Sequence, residues 1–594
     1  MRRAPIEAAA WLDSLLGNPG DPANPFSYAR CAELDDVDAF PTEICARLDE
    51  LGVARHYVPA RHGGGLTDYE TAMQVMRMVA RRDITVAVAH GKTYLGGVSV
   101  WVGGDAEQAA GLAELIGSGV PVSWGLTERD HGSDLLHGDL VGTATPDGYR
   151  LTGEKWLINN ATRGGAICVL ARTSPAGGPR GFSLFLVDKT RLAAGTYRHL
   201  PKVLTHGIRG ADISGIEFAD APIGTSALVG APGTGAETVL KGLQLTRTLC
   251  AALSLGGADH ALATATRFAS ERRLYGRRLV DLPAARHTLA TAYTDHLMAE
   301  ALAVVGTRAI HGLTDEMSVL SAAVKYLVPT RVEGLMVMLR KLMGARSLLR
   351  DEYEPGGLAK VERDHRIVSL FDGNTLVNLH ALVNLFPTLV RAHQRGTSPA
   401  AGLAAVTTLT EPLPDWLPER QSLVSRRGSS LLLGLPAVAA EITALAADEP
   451  ELAPLAALTG RFLTAVGDLH QRLAAVRSTP MDVPKSTFVL AGHLACCLAG
   501  AATLHLWLRN RAAFAADSAD GVPETAALWR NGIWPQAVLS RVLGAMHDRT
   551  CRQTACYPAM FDALASQVSA DCLPSLFDCR LAEGRRQPSW SMPC

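Results

Sequence analysis

The chain contains little charge, and the charge that it has is balanced. Charged residues make up 19% of its 594 residues, and the formal net charge is -1. No global basic field therefore exists that would attract nucleic acid. Lysine is scarce, with nine residues in the whole chain. The sequence also lacks a P-loop, a serine-hydrolase elbow, an internal repeat and a low-complexity tract, which excludes the functions and architectures that depend on them.

The spacing of the cysteines does not indicate a disulfide framework or a metal site. Five of the eleven cysteines lie in the last stretch, at Cys551, Cys556, Cys572, Cys579 and Cys594. None forms a CxxC knuckle, so we expect ordinary buried thiols and no metal, with a structural metal as the alternative. The N-terminus shows no continuous apolar segment of the secretory type. Free thiols then indicate a reducing compartment, and we expect a cytoplasmic protein.

One apolar run is a candidate for a membrane-spanning helix. Residues 486–508 carry no formal charge apart from possible protonation of His493 and His505, and the run is long enough to span a bilayer. Alanine and glycine dominate it, and two imidazoles would be costly in lipid. A helix that is apolar all round inside a helical bundle is the favoured interpretation, and membrane contact through this region stays the alternative.

Hydrophobic residues make up 47% of the chain, enough for a large core shared by two to four domains. Residues 1–119 are predicted to be helical, with helix-like apolar spacing from Thr71 to Ala89. Residues 120–231 form a strand-rich block with frequent turns. Helical periodicity returns over 232–394 and, after a short Gly/Ser/Pro linker, over 400–594.

Two strings in the strand-rich block carry a family resemblance. WGLTERDHGSD runs from Trp124 to Asp134, and GEKWLINN runs from Gly153 to Asn160. They resemble the middle domain of acyl-CoA dehydrogenases. The resemblance implies an α+β fold with an N-terminal helical domain, a middle β-barrel domain and a C-terminal four-helix bundle. The last two hundred residues would be a helical extension, as in very-long-chain members of the family.

The same resemblance implies FAD as cofactor. No side chain accepts hydride reversibly, so a CH–CH dehydrogenation requires such a group. Two positions depart from the family pattern: Leu157 stands where an aromatic residue is usual, and Asn159 replaces Thr. Trp156 cannot take the place of Leu157 without a change of register, because adjacent strand residues point to opposite faces. The flavin contacts implied in this block are Trp124, Leu126, Thr127, Ser133, Leu157 and Asn159.

Two further matches concern the FAD phosphates. ERRLYG over residues 271–276 resembles E-R-x-x-F-G, whose Arg reaches the diphosphate of a neighbouring subunit, so Arg272 implies a homodimer or a larger oligomer. KLMGA over residues 341–345 resembles Q-x-x-G-G at the adenosine-diphosphate edge. Lys341 and Gly344 are the implied cofactor contacts there, although Lys replaces Gln and Ala345 replaces the second Gly.

The last match implies the base. RDHRI followed by LFDGNT, residues 363–375, resembles R-D-x-x-I and Y-E-G-T, in which Glu removes the α-proton. Asp372 stands at that position and is one methylene shorter. A base on the preceding helix, found in some family branches, is excluded because Thr246 occupies that position. The alternative is that Asp372 only caps the next helix.

The remaining site residues follow from the same resemblance. The backbone N–H of Asp372 would bond the thioester carbonyl together with the ribityl 2′-hydroxyl of FAD. Ser133, Arg247, Phe371 and Gly373 are expected to contact the substrate, and Thr375 the cofactor.

The predicted function is FAD-dependent dehydrogenation of an acyl thioester, on CoA or on an acyl-carrier protein, to the trans-2-enoyl thioester. Flavin N5 would accept the β-hydride, and an electron-transfer flavoprotein would reoxidise the flavin, in fatty-acid or polyketide metabolism. Two alternatives stay open. One is a flavin-dependent oxidase or monooxygenase on the same fold. The other is a degenerate, non-enzymatic member that acts through its C-terminal extension.

Overall fold

The computed structural model of the protein describes residues 3–350, 357–477, 482–516, 522–546 and 555–583. Helices form the first block of the chain, as the periodicity predicts. Their bounds are α1 Ala4–Leu16, α2 Tyr28–Asp36, α3 Thr42–Glu50, α4 Tyr69–Arg82, α5 Ile84–Gly103 and α6 Ala106–Gly117.

The apolar spacing from Thr71 to Ala89 does not belong to one helix. Asp83 has extended backbone angles and ends α4, and its side chain accepts a hydrogen bond from Val86 N at 2.9 Å, which starts α5. The predicted helical spacing is therefore carried by two successive helices, α4 and α5. An Asp inside an otherwise continuous apolar pattern was the signal for the break.

The second block is one mixed sheet of eight strands among the described residues. The order is β6-β7-β3-β2-β4-β5-β8, and the first strand pairs in parallel with β4. The sheet has its own apolar core, which includes Leu151, Val169, Phe185 and Phe218. Its strands are β1 Val122–Gly125, β2 Val141–Thr145, β3 Gly148–Asn159, β4 Ala166–Arg172, β5 Phe182–Asp188, β6 Tyr197–Leu200, β7 Ile213–Gly224 and β8 Leu228–Val229.

The third block returns to long helices, which share one large apolar core with the first block. A two-stranded hairpin, β9 Arg273–Leu274 and β10 Arg277–Arg278, follows its second helix. The helix pairs α9 and α10, α8 and α10, and α10 and α12 pack on one another as the predicted bundle requires. The helices are α7 Gly235–Leu249, α8 Ala251–Glu271, α9 Pro283–Gly312, α10 Met317–Met343, α11 Leu358–His365 and α12 Thr375–Gln394.

The C-terminal extension is helical and packs on the bundle. The helix Lys485–Phe514 is long and apolar enough to cross a membrane, but most of it is buried against α9, α10 and α12. This burial agrees with the interpretation as a bundle helix. The helices of the extension are α13 Gly402–Thr407, α14 Ser430–Leu433, α15 Leu435–Asp448, α16 Ala453–Ala474, α17 Lys485–Phe514, α18 Pro523–Arg530, α19 Ile533–Ala545 and α20 Tyr557–Ser569.

Buried polar contacts connect the extension to the rest of the chain. Glu300 of α9 accepts hydrogen bonds from Ser575 Oγ at 2.5 Å and from Leu576 N at 2.8 Å. The same carboxylate pairs with Arg77 of α4, which is fully buried. Because a charge in the interior is stable only when it is paired, these contacts make the extension part of the common fold.

Candidate active site

The loop before α12 has a strained backbone. Asp372 has a φ of 54° and Gly373 a φ of 94°, so two consecutive residues adopt left-handed conformations. The next residue caps α12: Asn374 Oδ1 accepts a hydrogen bond from Val377 N at 2.9 Å. The N-cap is therefore Asn374, and the alternative that Asp372 serves only as the cap is wrong. The strained turn instead leaves the Asp372 carboxylate free for other contacts.

That carboxylate is held by two side chains from other helices. Oδ2 of Asp372 accepts from Lys92 Nζ of α5 at 2.9 Å and from Cys250 Sγ, between α7 and α8, at 3.4 Å. The Asp372 and Lys92 side chains are 12% and 13% exposed. Nζ of Lys92 also lies 3.6 Å from the centre of the Phe371 ring, a cation–π contact. Asp372 is therefore oriented by its contacts and is still accessible.

Two further cations hold the backbone of this loop. Arg247 donates from Nε to the carbonyl oxygen of Asp372 at 3.0 Å. Lys325 of α10, 2% exposed, donates from Nζ to the carbonyl oxygens of Val368 at 2.6 Å and Gly373 at 3.2 Å. Buried carbonyl groups need such partners, and these bonds stabilise the left-handed turn.

Burial and charge shift the pKa values of these groups. Burial lowers the pKa of Lys325 to about 8, against the attraction of Cys250 and Asp372. Burial, together with the negative charge of Asp372, raises the pKa of Cys250 to about 12. Cys250 is therefore a neutral thiol that donates a weak hydrogen bond, and the loop is surrounded mainly by positive charge.

The first motif forms β1 and the turn that follows it. Trp124 is 9% exposed, and its indole Nε1 is buried with no hydrogen-bond partner among the described residues. The carbonyl of Leu126 accepts from Lys155 Nζ at 3.1 Å, and the carbonyl of Thr127 accepts from Trp156 N at 3.0 Å. These bonds join the two motifs into one wall.

A β-bulge shapes the second motif. Trp156 pairs with Gly215 and Ile158 with Ser214, so Leu157 is the extra residue, with a φ of 57°. Its side chain is 42% exposed. The register change that Trp156 requires to take the place of Leu157 is therefore present. The Trp156 ring instead lies under the Arg129 guanidinium, 4.6 Å away.

Helix α5 connects this wall to the base. Asn160 Nδ2 donates to Ala89 O at 2.8 Å, and Asn159 Nδ2 lies 3.4 Å from Val88 O. The Oδ1 atom of Asn159 is buried without a partner in the part of the chain that the structure describes. Because the same helix carries Lys92, it brings the end of β3 and Asp372 into one site.

The loop at the end of the first motif meets the base loop. Nδ2 of Asn374 lies 3.5 Å from Oγ of Ser133, which is exposed. Thr375 begins α12, and its hydroxyl lies 3.4 Å from the carbonyl of Ser369. The structure thus brings Ser133, Arg247 and Thr375 to the loop that holds Phe371, Asp372 and Gly373.

The residues predicted to meet the FAD phosphates lie elsewhere in the fold. Arg272 ends α8, just before the β9–β10 hairpin. Lys341 is exposed in the last turn of α10, and Gly344 ends that helix with a φ of 66°. Contact of Arg272 with a neighbouring subunit stays a prediction, as do the phosphate contacts of Lys341 and Gly344.

The sequence interpretation missed Lys92, Cys250, Lys325 and Asn374. A signal existed for the two lysines. Each stands alone in a long apolar helical run of a chain with only nine lysines, and a buried lysine needs a functional or structural partner. No comparable signal pointed to Cys250.

Metal binding was not expected. Within residues 3–350, 357–477, 482–516, 522–546 and 555–583, no cluster of three His, Cys, Asp or Glu side chains suits a metal ion. Cys551 and Cys594 lie outside the described residues, so the absence of a metal stays a prediction.

Comparisons with known proteins agree with this geometry. Family models described as acyl-CoA dehydrogenase N-terminal, middle and C-terminal domains match residues 27–119, 123–221 and 233–383. A probable acyl-CoA dehydrogenase of Mycobacterium tuberculosis, FadE25, is 29% identical over 260 residues, which is 44% of this chain and 66% of that relative. The match thus spans just under two thirds of the relative's length.

Solved structures share the fold. Butyryl-CoA dehydrogenase from Megasphaera elsdenii is similar with a TM-score of 0.58 and 21% identity, over 64% of this chain and 95% of that one. An acyl-CoA dehydrogenase from Bacillus anthracis, complexed with FAD, reaches a TM-score of 0.68 at 15% identity. It covers 95% of this chain and 94% of its own. The C-terminal extension therefore also has a counterpart of known structure.

Proposed function

Because the chain belongs to the acyl-CoA dehydrogenase family, we propose that it removes two hydrogens from an acyl thioester to give the trans-2-enoyl thioester. The family consists of FAD-dependent oxidoreductases that act on CH–CH groups. The position of Asp372 carries the proposal: a carboxylate that is accessible, oriented by Lys92 and Cys250, and next to the loop that holds Ser133.

The residues of the wall fit FAD. Buried polar atoms without partners among the described residues, Trp124 Nε1 and Asn159 Oδ1, are suited to the polar edge of a flavin. The exposed Leu157 of the bulge would cover part of the ring. The residues that would hold the cofactor are Trp124, Leu126, Thr127, Ser133, Leu157, Asn159 and Thr375. FAD, when bound, supplies the acceptor for the β-hydride.

Asp372 supplies the base in this proposal. Removal of the α-proton requires a carboxylate within hydrogen-bond reach of that proton, in a site from which water is excluded. Lys92 and Cys250 fix the carboxylate, while Arg247 and Lys325 fix its backbone. The Asp372 N–H would bond the thioester carbonyl and so stabilise the negative charge that develops on its oxygen.

The substrate's carrier and the electron acceptor belong to the same proposal. Pantetheine is common to CoA and acyl-carrier protein, and Ser133 is exposed where it would pass. We propose an electron-transfer flavoprotein as the acceptor, a homodimer in which Arg272 reaches the partner's cofactor, and a cytoplasmic location.

An anaerobic spectral titration of the purified protein tests the proposal. A panel of acyl-CoA thioesters should bleach the yellow flavin for one class of chain. Asp372→Asn should lower the rate of bleaching by about 10²–10⁴-fold while the yellow colour remains.

Asp448→Asn, an exposed carboxylate at the end of α15, is the control and should bleach at the wild-type rate. Oxygen consumption with peroxide release would instead identify an oxidase. A protein that cannot be reconstituted with FAD would contradict the enzyme proposal.

A further inference from the structure

Four exposed arginines lie together where the C-terminal end of α12 meets the segment before α14, residues 421–428. A Cβ atom added at Gly428 would be 2.6 Å from Cβ of Ala392, so this segment packs directly on the helix. The helix contributes two arginines within one turn of Ala392, and the segment contributes two just before Gly428. We call these four residues the basic patch: Arg391, Arg395, Arg426 and Arg427.

The basic patch has no carboxylate of its own. No Asp or Glu occurs between residues 373 and 410, or between residues 420 and 440. Within the described ranges, none of the four arginines forms a salt bridge, and Arg391 donates only to groups of its own helix. The charge of Arg427 acts on Glu316, but that carboxylate is buried and accepts from Ser430 Oγ at 2.5 Å. The patch is therefore a surface of unbalanced positive charge in a chain whose net charge is -1.

The segment that carries half of the patch also reaches the active site. Gln244 of α7 donates from Nε2 to Ser422 O at 3.0 Å. Arg247, which bonds the carbonyl of Asp372, lies on the same helix three residues farther on, about 4.5 Å along the helix axis. A partner bound to this segment would therefore lie beside the helix that holds the base loop.

Two apolar side chains lie between that contact and the arginines. Leu423 is 38% exposed and Val424 is 51% exposed. Their position is fixed by the backbone that follows, because Ser425 N donates to Ser318 Oγ of α10 at 2.8 Å. Protein interfaces combine an apolar centre with a polar or charged rim. The segment offers both, with the apolar pair on the side of the active site.

We infer that the basic patch docks an acidic carrier protein, so that the acyl chain arrives on the phosphopantetheine arm of an acyl-carrier protein. This inference rests on the proposed function. Guanidinium groups bind carboxylates in a matching fork geometry, and arginine clusters recognise acidic surfaces. An anionic membrane surface is the other partner that a basic patch suits. The place of the segment, one turn of α7 from Arg247, favours a partner that delivers a tethered substrate.

Fluorescence anisotropy measures the binding of a labelled bacterial acyl-carrier protein, in its phosphopantetheine form, to the FAD-loaded protein. We expect binding to weaken as salt rises from about 0.01 M to about 1 M, because the Debye length falls from about 30 Å to about 3 Å. Arg426→Gln/Arg427→Gln should raise the Kd by about tenfold, since it removes two charges from the interface. Arg391→Gln/Arg395→Gln, on the other side of the patch, should act alike and serves if the first variant does not fold.

The matched control is Arg47→Gln/Arg191→Gln. It removes two exposed arginines outside the patch, one in α3 and one in the turn after β5. This variant should bind the carrier protein as the wild type does.

The bleaching assay then compares one acyl group on the carrier protein and on CoA. Arg426→Gln/Arg427→Gln should raise the carrier-thioester concentration that gives the half-maximal rate by about tenfold, with the maximal rate unchanged. Its response to the CoA thioester should equal that of the wild type, because CoA shares the pantetheine arm and lacks the protein surface.

The outcomes separate this inference from the proposed function. Absence of carrier binding by the wild type, or binding that both patch variants keep, overturns the inference, and bleaching by an acyl-CoA then leaves the dehydrogenase proposal standing. Binding to phosphatidylserine–phosphatidylcholine vesicles that the patch variants lose, without carrier binding, assigns the patch to a membrane and also overturns it. Carrier binding that the patch variants lose, with no bleaching by any thioester, supports the docking surface and contradicts the dehydrogenase proposal.

Discussion

Gly373 lies directly against the guanidinium of Arg247. A Cβ atom added at Gly373 would be 2.8 Å from Nη2 and 3.0 Å from Nε of Arg247. The φ of Gly373 is 94°, a backbone conformation that residues with a side chain rarely adopt. Arg247 Nε also donates to the carbonyl of Asp372. Because Gly373 has no side chain, Arg247 can approach closely enough to make this bond and hold the base loop.

Gly373→Ala should therefore destabilise the protein and slow the reaction. The strained backbone costs about 1–3 kcal/mol, and displacement of Arg247 should move the carboxylate of Asp372 and lower the bleaching rate by about a hundredfold. Thermal unfolding and the anaerobic titration measure the two effects.

Gly195→Ala is the matched control for Gly373→Ala. Gly195 has a φ of 84° with nothing within 4 Å of the added atom, so the variant reports backbone strain without a clash. Equal bleaching rates for the two variants would contradict the role of the Arg247 contact.

The pH dependence of the unfolding free energy should reveal the shifted titration of Lys325. Burial lowers its pKa to about 8 in the folded protein, from an ordinary value of 10.5. Between these pH values the unfolded chain binds more protons than the folded one. Above pH 10.5 Lys325 is neutral in both states, so its burial costs no folding free energy. The cost appears as the pH falls and is complete below pH 8.

We expect the unfolding free energy of the wild type to rise relative to Lys325→Met from pH 8 to pH 10.5, by an amount on the order of 2–3 kcal/mol. Denaturant titrations at several pH values measure this difference, in which the other titrating groups cancel. A difference that is independent of pH would show that Lys325 titrates normally.

The sequence predicted the fold more completely than the site. The motif with Trp124 and Thr127 and the motif with Asp372 each carry enough sequence to indicate their place in a known architecture. Helical periodicity correctly indicated the blocks of the chain. It could not separate α4 from α5, because apolar spacing continues across Asp83 and only the side-chain cap marks the break.

What the sequence could not supply were contacts between distant elements. Lys92 meets Asp372 across 280 positions, and Cys250 meets it across 122. No local pattern encodes such pairs. The sequence left open whether Asp372 is the base or only a helix cap, because Asp and Asn both favour the cap position; the structure places Asn374 there. The alternation of side chains between the two faces of a strand also cannot predict the bulge at Leu157.

The end of the described chain should contribute strongly to stability. Glu583 is 8% exposed at its side chain and accepts from Arg81 at 2.5 Å and from Arg267. Burial disfavours its charge, but the two guanidinium groups outweigh this and lower its pKa to about 2, from 4.5. Its stabilisation is complete above pH 4.5 and is lost as the pH falls toward 2.

Glu583→Gln should then cost about 3 kcal/mol at pH 7, because it removes a buried carboxylate that pairs with both Arg81 and Arg267. Glu441→Gln is the control: Glu441 also binds an arginine through both oxygens, but that pair is 44% and 40% exposed. Exposed pairs contribute about 0–1 kcal/mol.

The two variants are compared by denaturant unfolding at pH 7 and again at pH 3. We expect their difference to shrink at the lower pH, since the wild-type Glu583 there begins to lose its advantage. Equal costs at pH 7 would mean that the buried pairs of Glu583 add no more to stability than an exposed pair does.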